Sequence, residues 1–296
     1  MAIAAPALSI AVEALFGHIR PTILNLQKLG TTDFSAEAPN VDIQPGKTIK
    51  VPVSSVAGAS AYNATSNNYT TGGTTSWAEL TATHYLQGFD VAGVDIDAGV
   101  NASRIEQLFS RRAASGVVVA CSAVAVAALD AVTPSTGITL PAAPTLAEYA
   151  GLFGQIEAKN KINAIGSVLA VSGAELGAIK AAFLAAGVSP GKNEELAQML
   201  GFSDIVVVPG ATGRLWAVPP SAFGTLARVP TYIAKYVSAG AETDPETGLA
   251  LGIVVADDQA ANRRIVNADI WFGATAVSAN AAATTAGIVN VGTAQG

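Results

Sequence analysis

The stretch "NASRIEQLFSRRAASGVVVACSAVAVAALDAV", residues 101–132, separates two parts of the chain with different patterns. Ser103 and Glu106 have capping-box spacing, in which the Ser side chain accepts from a free helix N–H and the Glu reaches back. Beyond Arg112 the segment is apolar on all sides, which predicts a long helix buried on several faces. Gly116 and the valines after it weaken helix continuity, so a strand is the alternative for the second half.

The region before this segment is typical of a hairpin. "VDIQPGKTIKVPVSSV" (41–56) alternates apolar and polar residues, and "WAELTATHYLQGFDVAGVDI" (77–96) is rich in strand-forming residues. The run from Gly58 to Trp77 between them carries no charge, although Ser, Thr, Asn and Gly are frequent. The pattern predicts two extended arms around an uncharged tip. Residues 1 to about 40 indicate an extended arm, with a short helix near Ser9 to Phe16.

The region after this segment reads as a compact α/β unit. "SVLAVSG", "DIVVVPG" and "RLWAVP" predict buried strands, with a short helix from Asn193 to Leu200 between them. From Tyr232 to Val291 the pattern returns to strands. Two further pairs with capping-box spacing predict helix starts: Thr145 with Glu148, and Ser172 with Glu175.

Composition restricts the class of protein. Of 296 residues, 50% are hydrophobic and 13% charged, against about 25% charged in an average domain. So little charge leaves neutral or apolar surface, which in soluble proteins usually belongs to interfaces, so we expect an obligate assembly. The net charge of -6 argues against wrapping nucleic acid. Residues 113–129 are mostly Ala, Ser, Gly and Val, which favours a buried helix over a membrane span.

No group of side chains predicts catalysis, a cofactor or a metal. The single cysteine, Cys121, lies in the apolar run and reads as a small buried side chain. His18 and His84 are isolated in sequence, and Asp90 with its neighbouring aspartates lacks calcium-loop spacing. "VVVPGATGRLW" (206–216) resembles a nucleotide-binding turn, but the residues after it predict a strand rather than a helix N-terminus. A turn between two strands is therefore favoured over a nucleotide site.

The order of these parts, with particular residues, resembles the major capsid protein of tailed bacteriophages, whose fold is shared with encapsulins and herpesvirus shells. "APNVDIQPGKTIKVPV" is similar to the entry into their extended loop, and residues 101–132 resemble their spine helix. "SVLAVSGAELGAIKAAFLAAGV", "SDIVVVPG" and "RLWAVPPSAFGTLARV" follow in the order of their axial domain.

The resemblance implies an α+β capsid fold and its division. An N-terminal arm (1–40) and an extended β-hairpin loop (41–85) would reach neighbouring subunits. A peripheral domain with the long spine helix would combine 86–134 and 231–291. An axial α/β domain would occupy 135–230, and 292–296 would form a C-terminal tail.

The resemblance also implies a function. The chain would be a structural protein, not an enzyme, that self-assembles into pentamers and hexamers of an icosahedral shell around the phage genome. It would assemble in the host cytoplasm, meet a portal protein and contact packaged DNA only weakly, with no membrane partner. No long charged helical segment precedes the loop, so we expect a separate scaffolding protein. The alternatives are an encapsulin-like nanocompartment, another virion component, or a soluble nucleotide-binding α/β enzyme.

Intersubunit contacts are expected at the uncharged tip and on the long helix. Some shells of this fold cross-link through a lysine on the extended loop, but Val51 to Ala78 contains no Lys, so we expect no such bond there. Aromatic side chains contribute most where surfaces are desolvated, and Asn can hydrogen-bond without burying charge. The candidate contact residues are Tyr62, Asn67, Asn68, Tyr69, Trp77, Arg111 and Arg112, with packing inside its own hairpin as the alternative for Trp77.

Overall fold

The computed structural model describes residues 32–33, 48–54, 75–92, 102–160, 166–189, 191–219, 222–228, 238–243, 250–277 and 287–293. The helices are α1 (Ala102–Asp130), α2 (Leu146–Asn160), α3 (Gly173–Ala185) and α4 (Asn193–Leu200). The strands are β1 (Thr32–Asp33), β2 (Thr48–Ser54), β3 (Thr75–Thr81), β4 (Thr83–Ala92), β5 (Pro134–Leu140), β6 (Val168–Val171), β7 (Asp204–Val207), β8 (Leu215–Val218), β9 (Phe223–Arg228), β10 (Ser238–Thr243), β11 (Ala250–Asp258), β12 (Arg263–Ala276) and β13 (Val289–Thr293). The short helix predicted near Ser9 to Phe16 lies outside the described residues.

The helix α1 runs unbroken for 29 residues, so the strand alternative for its second half is wrong. At about 1.5 Å per residue it is about 43 Å long. Gly116 lies in its interior, where a Cβ would sit 3.0 Å from Cγ of Gln87 on β4. The glycine therefore lets the helix approach the strand closely. The helix begins at Ala102, so Ser103 lies in its first turn rather than at the predicted N-cap.

A six-stranded sheet supports α1. Its path is β1-β9-β12-β11-β10, and β4 also pairs with β12, the longest strand. The residues that α1 turns towards this sheet are small: Ala113, Ala114, Val117, Val118 and Cys121. They pack with Ile253, Ala268 and Ile270 of the sheet in one core. The segment Arg112–Asp130 is long and apolar enough to cross a membrane by composition, but this packing identifies it as a core helix.

A five-stranded sheet, in the order β5-β13-β8-β6-β7, forms the second unit. The helices α2, α3 and α4 contribute to the core on one of its faces, with Tyr149, Ile179 and Leu196 fully buried. The C-terminal part of α1 packs with Trp216 of β8 and Phe223 of β9 in a further core. Because β9 belongs to the six-stranded sheet, this core joins α1 to both sheets.

Local signals explain where the helices of this unit begin and end. Ser172 caps α3, and its Oγ accepts from the Glu175 N–H at 3.3 Å, as the capping-box spacing predicts. At α2 the Glu148 carboxylate accepts from the Thr145 N–H at 2.6 Å, which lowers the pKa of Glu148. The helix α4 ends at Gly201, whose φ of 85° is the left-handed conformation that glycine adopts readily.

Two strands lie across the predicted domain boundaries. Strand β9 falls within the range 135–230 but pairs with β12 in the six-stranded sheet. Strand β13 falls at the end of the chain but lies between β5 and β8 in the five-stranded sheet. The residues predicted as a tail, 292–296, thus include Gly292 and Thr293 of a sheet strand. Such long-range pairing leaves no local signal in the sequence.

Candidate functional site

A two-stranded hairpin carries the segment predicted to contact neighbours. Strands β2 and β3 pair antiparallel from Thr48↔Thr81 to Ser54↔Thr75, which confirms the two extended arms. Lys50 lies opposite Glu79, so the charges of the hairpin are near its base. Residues 55–74, which join the two strands, lie outside the described residues.

The base of the hairpin is fixed to the six-stranded sheet. Leu80 is fully buried and Ala82 nearly so, at the point where β3 continues into β4. Gly273 of β12 lies against this point, where a Cβ would sit 2.6 Å from the carbonyl oxygen of Thr81. Since no side chain fits between the two backbones, a glycine at 273 is what permits β12 to lie this close to the end of β3.

The predicted contact residues fall on two separate elements. Tyr62, Asn67, Asn68 and Tyr69 lie outside the described residues. Trp77 lies in β3, opposite Pro52 of β2. Arg111 and Arg112 both belong to α1, and Arg112 is exposed. The structure therefore places Trp77 in an arm of the hairpin and the two arginines on the long helix.

Among the residues whose side chains the structure describes, four large apolar ones are more than half exposed, and the sequence patterns did not single them out. They are Leu86 at 57%, Val119 at 62%, Leu184 at 62% and Met199 at 52% exposed. Val119 lies on α1, on a side of the helix turned away from the sheet, and Leu86 lies on β4. The sequence contained a signal for Val119. The helix is apolar on all sides, so some of its apolar side chains must remain exposed if it packs against the sheet on one side.

A buried ionic network lies at the edge of the five-stranded sheet where β5 and β6 end. Arg214 donates from Nε to Glu175 Oε2 at 2.8 Å and from Nη2 to Glu175 Oε1 at 3.0 Å. Tyr149 donates to Glu175 Oε1 at 2.6 Å, and Arg214 Nη1 donates to the Pro141 carbonyl at 3.1 Å. Burial raises the pKa of Tyr149, and the Glu175 carboxylate raises it further. The network ties two helices to the start of β8.

The loop between β7 and β8 contains the turn that the sequence suggested as a possible nucleotide site. Its backbone N–H groups bind a carboxylate of the chain itself. Asp130, the last residue of α1, accepts from the Thr212 N–H at 2.9 Å and from the Gly213 N–H at 3.0 Å. The loop leads into strand β8, not into a helix. An anionic ligand would have to displace Asp130, which argues against the nucleotide-binding alternative.

The histidine and the cysteine of the described chain have structural surroundings. His84 stacks on Trp271 with ring centroids 4.9 Å apart, and its Nε2 lies 3.4 Å from Oδ2 of Asp269. Cys121 is buried, and burial raises the pKa of its thiol to about 12. Such a thiol is a poor nucleophile because the reactive form is the thiolate. The described residues contain no cluster of side chains that could hold a metal ion.

The chain resembles known proteins in structure but not in sequence. No family model matches the chain, and no curated protein matches it. Among solved structures, the capsid of an empty GTA particle is 12% identical, with a TM-score of 0.57, and the match covers 92% of this chain and 90% of that one. A structure of Mycobacterium phage Che8 is 14% identical with a TM-score of 0.53, covering 89% of each chain. The capsid of Ralstonia phage GP4 is 10% identical with a TM-score of 0.50, covering 85% of each.

These matches span nearly the whole length of both chains in each pair. At this level of identity they show a shared fold. The chain therefore has the α+β fold of tailed-phage major capsid proteins, which confirms the fold class predicted from the sequence.

Proposed function

We propose that the protein is a major capsid subunit of a tailed phage, located in the virion shell. The observation that carries the proposal is the shared fold, which extends over 85% to 92% of this chain in the three structural matches. A shell subunit needs no catalytic group, and its chemistry lies in surfaces that fit copies of itself.

The composition supports this proposal independently of the fold. Only 13% of the residues are charged, and large apolar side chains such as Val119 and Leu184 are more than half exposed. Exposed neutral surface of this kind is unfavourable in an isolated monomer, since it promotes association. In a shell each subunit meets several neighbours, so modest contacts sum to a stable particle.

The hairpin is the intersubunit contact that we propose. The uncharged run from Gly58 to Trp77, which includes the tip, offers Ser, Thr and Asn side chains that can hydrogen-bond across an interface without the cost of burying charge. Tyr62, Tyr69 and Trp77 would be its anchors, and Asn67 and Asn68 would be further contact residues. The fixed base at Gly273 supports this role, because a contact at a distant tip needs a defined starting direction.

The finer features of the shell belong to the same proposal. The six-stranded sheet with α1 would form the peripheral domain, and the five-stranded unit would form the axial domain around the symmetry axes. Copies would form pentamers and hexamers of an icosahedral shell that encloses the genome. A separate scaffolding protein and a portal protein would be partners, with only weak contact to DNA, and assembly would occur in the host cytoplasm.

Expression of the chain tests the proposal directly. We expect the purified protein to elute as very large particles and to show shells by negative-stain electron microscopy, on its own or with a co-expressed scaffolding protein. A monomer of about 30 kDa under both conditions that gains thermal stability on adding a nucleotide would overturn it in favour of an enzyme. Shells formed in the cell that contain protein cargo instead of phage DNA would indicate a nanocompartment.

A further inference from the structure

The last turn of α1 carries a negative charge in an unfavourable position. The C-terminal end of a helix has a partial negative charge from its free carbonyl groups, so Lys or Arg is favoured there and Asp is not. Asp130 is the last residue of this 29-residue helix, and its last turn contains no basic residue. Helix stability alone does not explain an aspartate at this position.

A segment far along the chain compensates the negative charge of Asp130. The Asp130 carboxylate accepts from the backbone N–H groups of Thr212 and Gly213, in the loop between β7 and β8. This loop contains Gly210 in the left-handed conformation, with φ of 76°. The two N–H groups point at one carboxylate. The pair of hydrogen bonds therefore fixes the orientation of the loop relative to the end of α1 as well as the distance between them.

This bond acts at the junction of the two units. The helix α1 packs on the six-stranded sheet through one core, whereas Thr212 and Gly213 lead into β8 of the five-stranded sheet. Leu129 and Val132 lie in the apolar core that includes Trp216, and the Val132 carbonyl accepts a buried hydrogen bond from Asn290 Nδ2 of β13 at 2.6 Å. Apolar contacts are non-directional, so the hydrogen bonds of Asp130 and of the Val132 carbonyl are the contacts here that can fix the angle between the two units.

We propose that Asp130 is a positioning residue for assembly. By bridging the end of α1 to Thr212 and Gly213, it fixes the angle between the helix and the five-stranded sheet, and this angle determines the curvature at which copies join. The second step rests on the proposed capsid function. The first step concerns the single subunit and is tested without any shell.

The test on the free subunit uses Asp130→Ala, Asp130→Asn and Thr212→Pro, which removes one of the two donors. In Asp130→Ala we expect amide hydrogen exchange at Thr212 and Gly213 to be faster by about tenfold or more. Asp130→Asn keeps one acceptor oxygen, so it should be intermediate. Glu157→Gln, an exposed carboxylate change on α2, is the control and should leave this exchange unchanged.

The angle itself is measured by spin labels at two exposed positions, one on each unit. Leu86→Cys on β4 and Met199→Cys on α4 are combined with Cys121→Ala, so that only these two sites are labelled. We expect the distance distribution to be narrow with Asp130 and broader or shifted in Asp130→Ala. An unchanged distribution in a folded Asp130→Ala subunit, or unchanged exchange at the loop, would overturn the positioning role.

Particle diameters measured by electron microscopy test the link to assembly. We expect Asp130→Ala to give aberrant or heterogeneous particles, Asp130→Asn to restore part of the normal population, and Glu157→Gln to be normal. Normal particles from Asp130→Ala would overturn the link to curvature. If the unchanged protein forms no shells at all, the proposed capsid function fails, while exchange and distance measurements still decide the role of Asp130 in the subunit.

Discussion

The Tyr149 hydroxyl donates a 2.6 Å hydrogen bond to Oε1 of Glu175, which is only 5% exposed. The same carboxylate holds Arg214 through two nitrogen atoms. A buried carboxylate with three charge-assisted hydrogen bonds is well satisfied, but each bond that is removed leaves charge without compensation. This network is therefore where small changes should have measurable effects on stability.

Tyr149→Phe should change stability in a pH-dependent way. The pKa of Tyr149 is raised in the folded state above its ordinary value of about 10, so the folded protein holds this proton more tightly than the unfolded chain. The associated stability is fully present below about pH 10 and is lost as pH rises towards the folded pKa. Near pH 7 the variant should lose about 1 kcal/mol with its hydrogen bond.

Urea unfolding of the free subunit at about pH 8 and about pH 11 measures both effects. The background should be Cys121→Ala, because the buried thiol has a raised pKa and contributes in the same direction. The parent should lose more free energy of unfolding between the two pH values than the Tyr149→Phe variant. Equal losses in the parent and the variant would contradict the raised pKa of Tyr149 as the source of the pH dependence.

Gly273→Ala should weaken the base of the hairpin. Its Cβ would sit 2.6 Å from the Thr81 carbonyl oxygen, so the backbones of β3 and β12 must separate. We expect a loss of about 1 to 3 kcal/mol in the free energy of unfolding. Gly177→Ala on α3, where the added Cβ meets nothing within 4 Å, is the control and should be neutral or stabilising by up to about 1 kcal/mol. If both variants match the parent, the close approach has no energetic consequence.

Replacing both Tyr62 and Tyr69 by Ala should weaken assembly without unfolding the subunit. Aromatic anchors account for a large share of interface energy, so particles should form poorly or dissociate at lower denaturant concentration. Particle yield and dissociation by light scattering measure this. Tyr62→Phe with Tyr69→Phe keeps both aromatic rings and is the matched control. Normal particles of unchanged stability from the double Ala variant would contradict the role of the two tyrosines as anchors.

Assembled particles should separate into monomers when boiled in denaturant. Residues 51–78 contain neither Lys nor any other charged residue, so the hairpin tip supplies no amine for an isopeptide bond. Denaturing gel electrophoresis of purified particles should show a single band at the subunit mass of 29.7 kDa. A ladder of multimers resistant to boiling and to reducing agent would show a covalent link from elsewhere in the chain.

The elements of this fold were predictable where the signal was local. Ser172 does cap α3, because the capping contact involves residues three apart, and Gly201 does end α4 in the left-handed conformation. The continuity of α1 through Gly116 could not be decided from propensity. The glycine suits a tertiary contact instead, because a Cβ at Gly116 would lie 3.0 Å from Cγ of Gln87, which belongs to a different element.

The tertiary partners of charged residues were not predictable. The spacing of Ser172 and Glu175 suggested that Glu175 would reach back to the helix start, but its carboxylate binds Arg214 and Tyr149 instead. Asp130 gave no signal at all, since its partners are backbone N–H groups 82 and 83 residues further along the chain. Backbone donors have no residue signature, so such contacts require the fold itself.

The position of β13 has a consequence for the timing of folding. This strand lies between β5 and β8, yet the ribosome makes residues 289–293 after every other described element. Until they emerge, β5 has no partner in the sheet and β8 is paired on one side only. A nascent chain therefore cannot complete the five-stranded unit before residues 289–293 have been made. The order of synthesis thus makes the closing of this sheet a late step in folding.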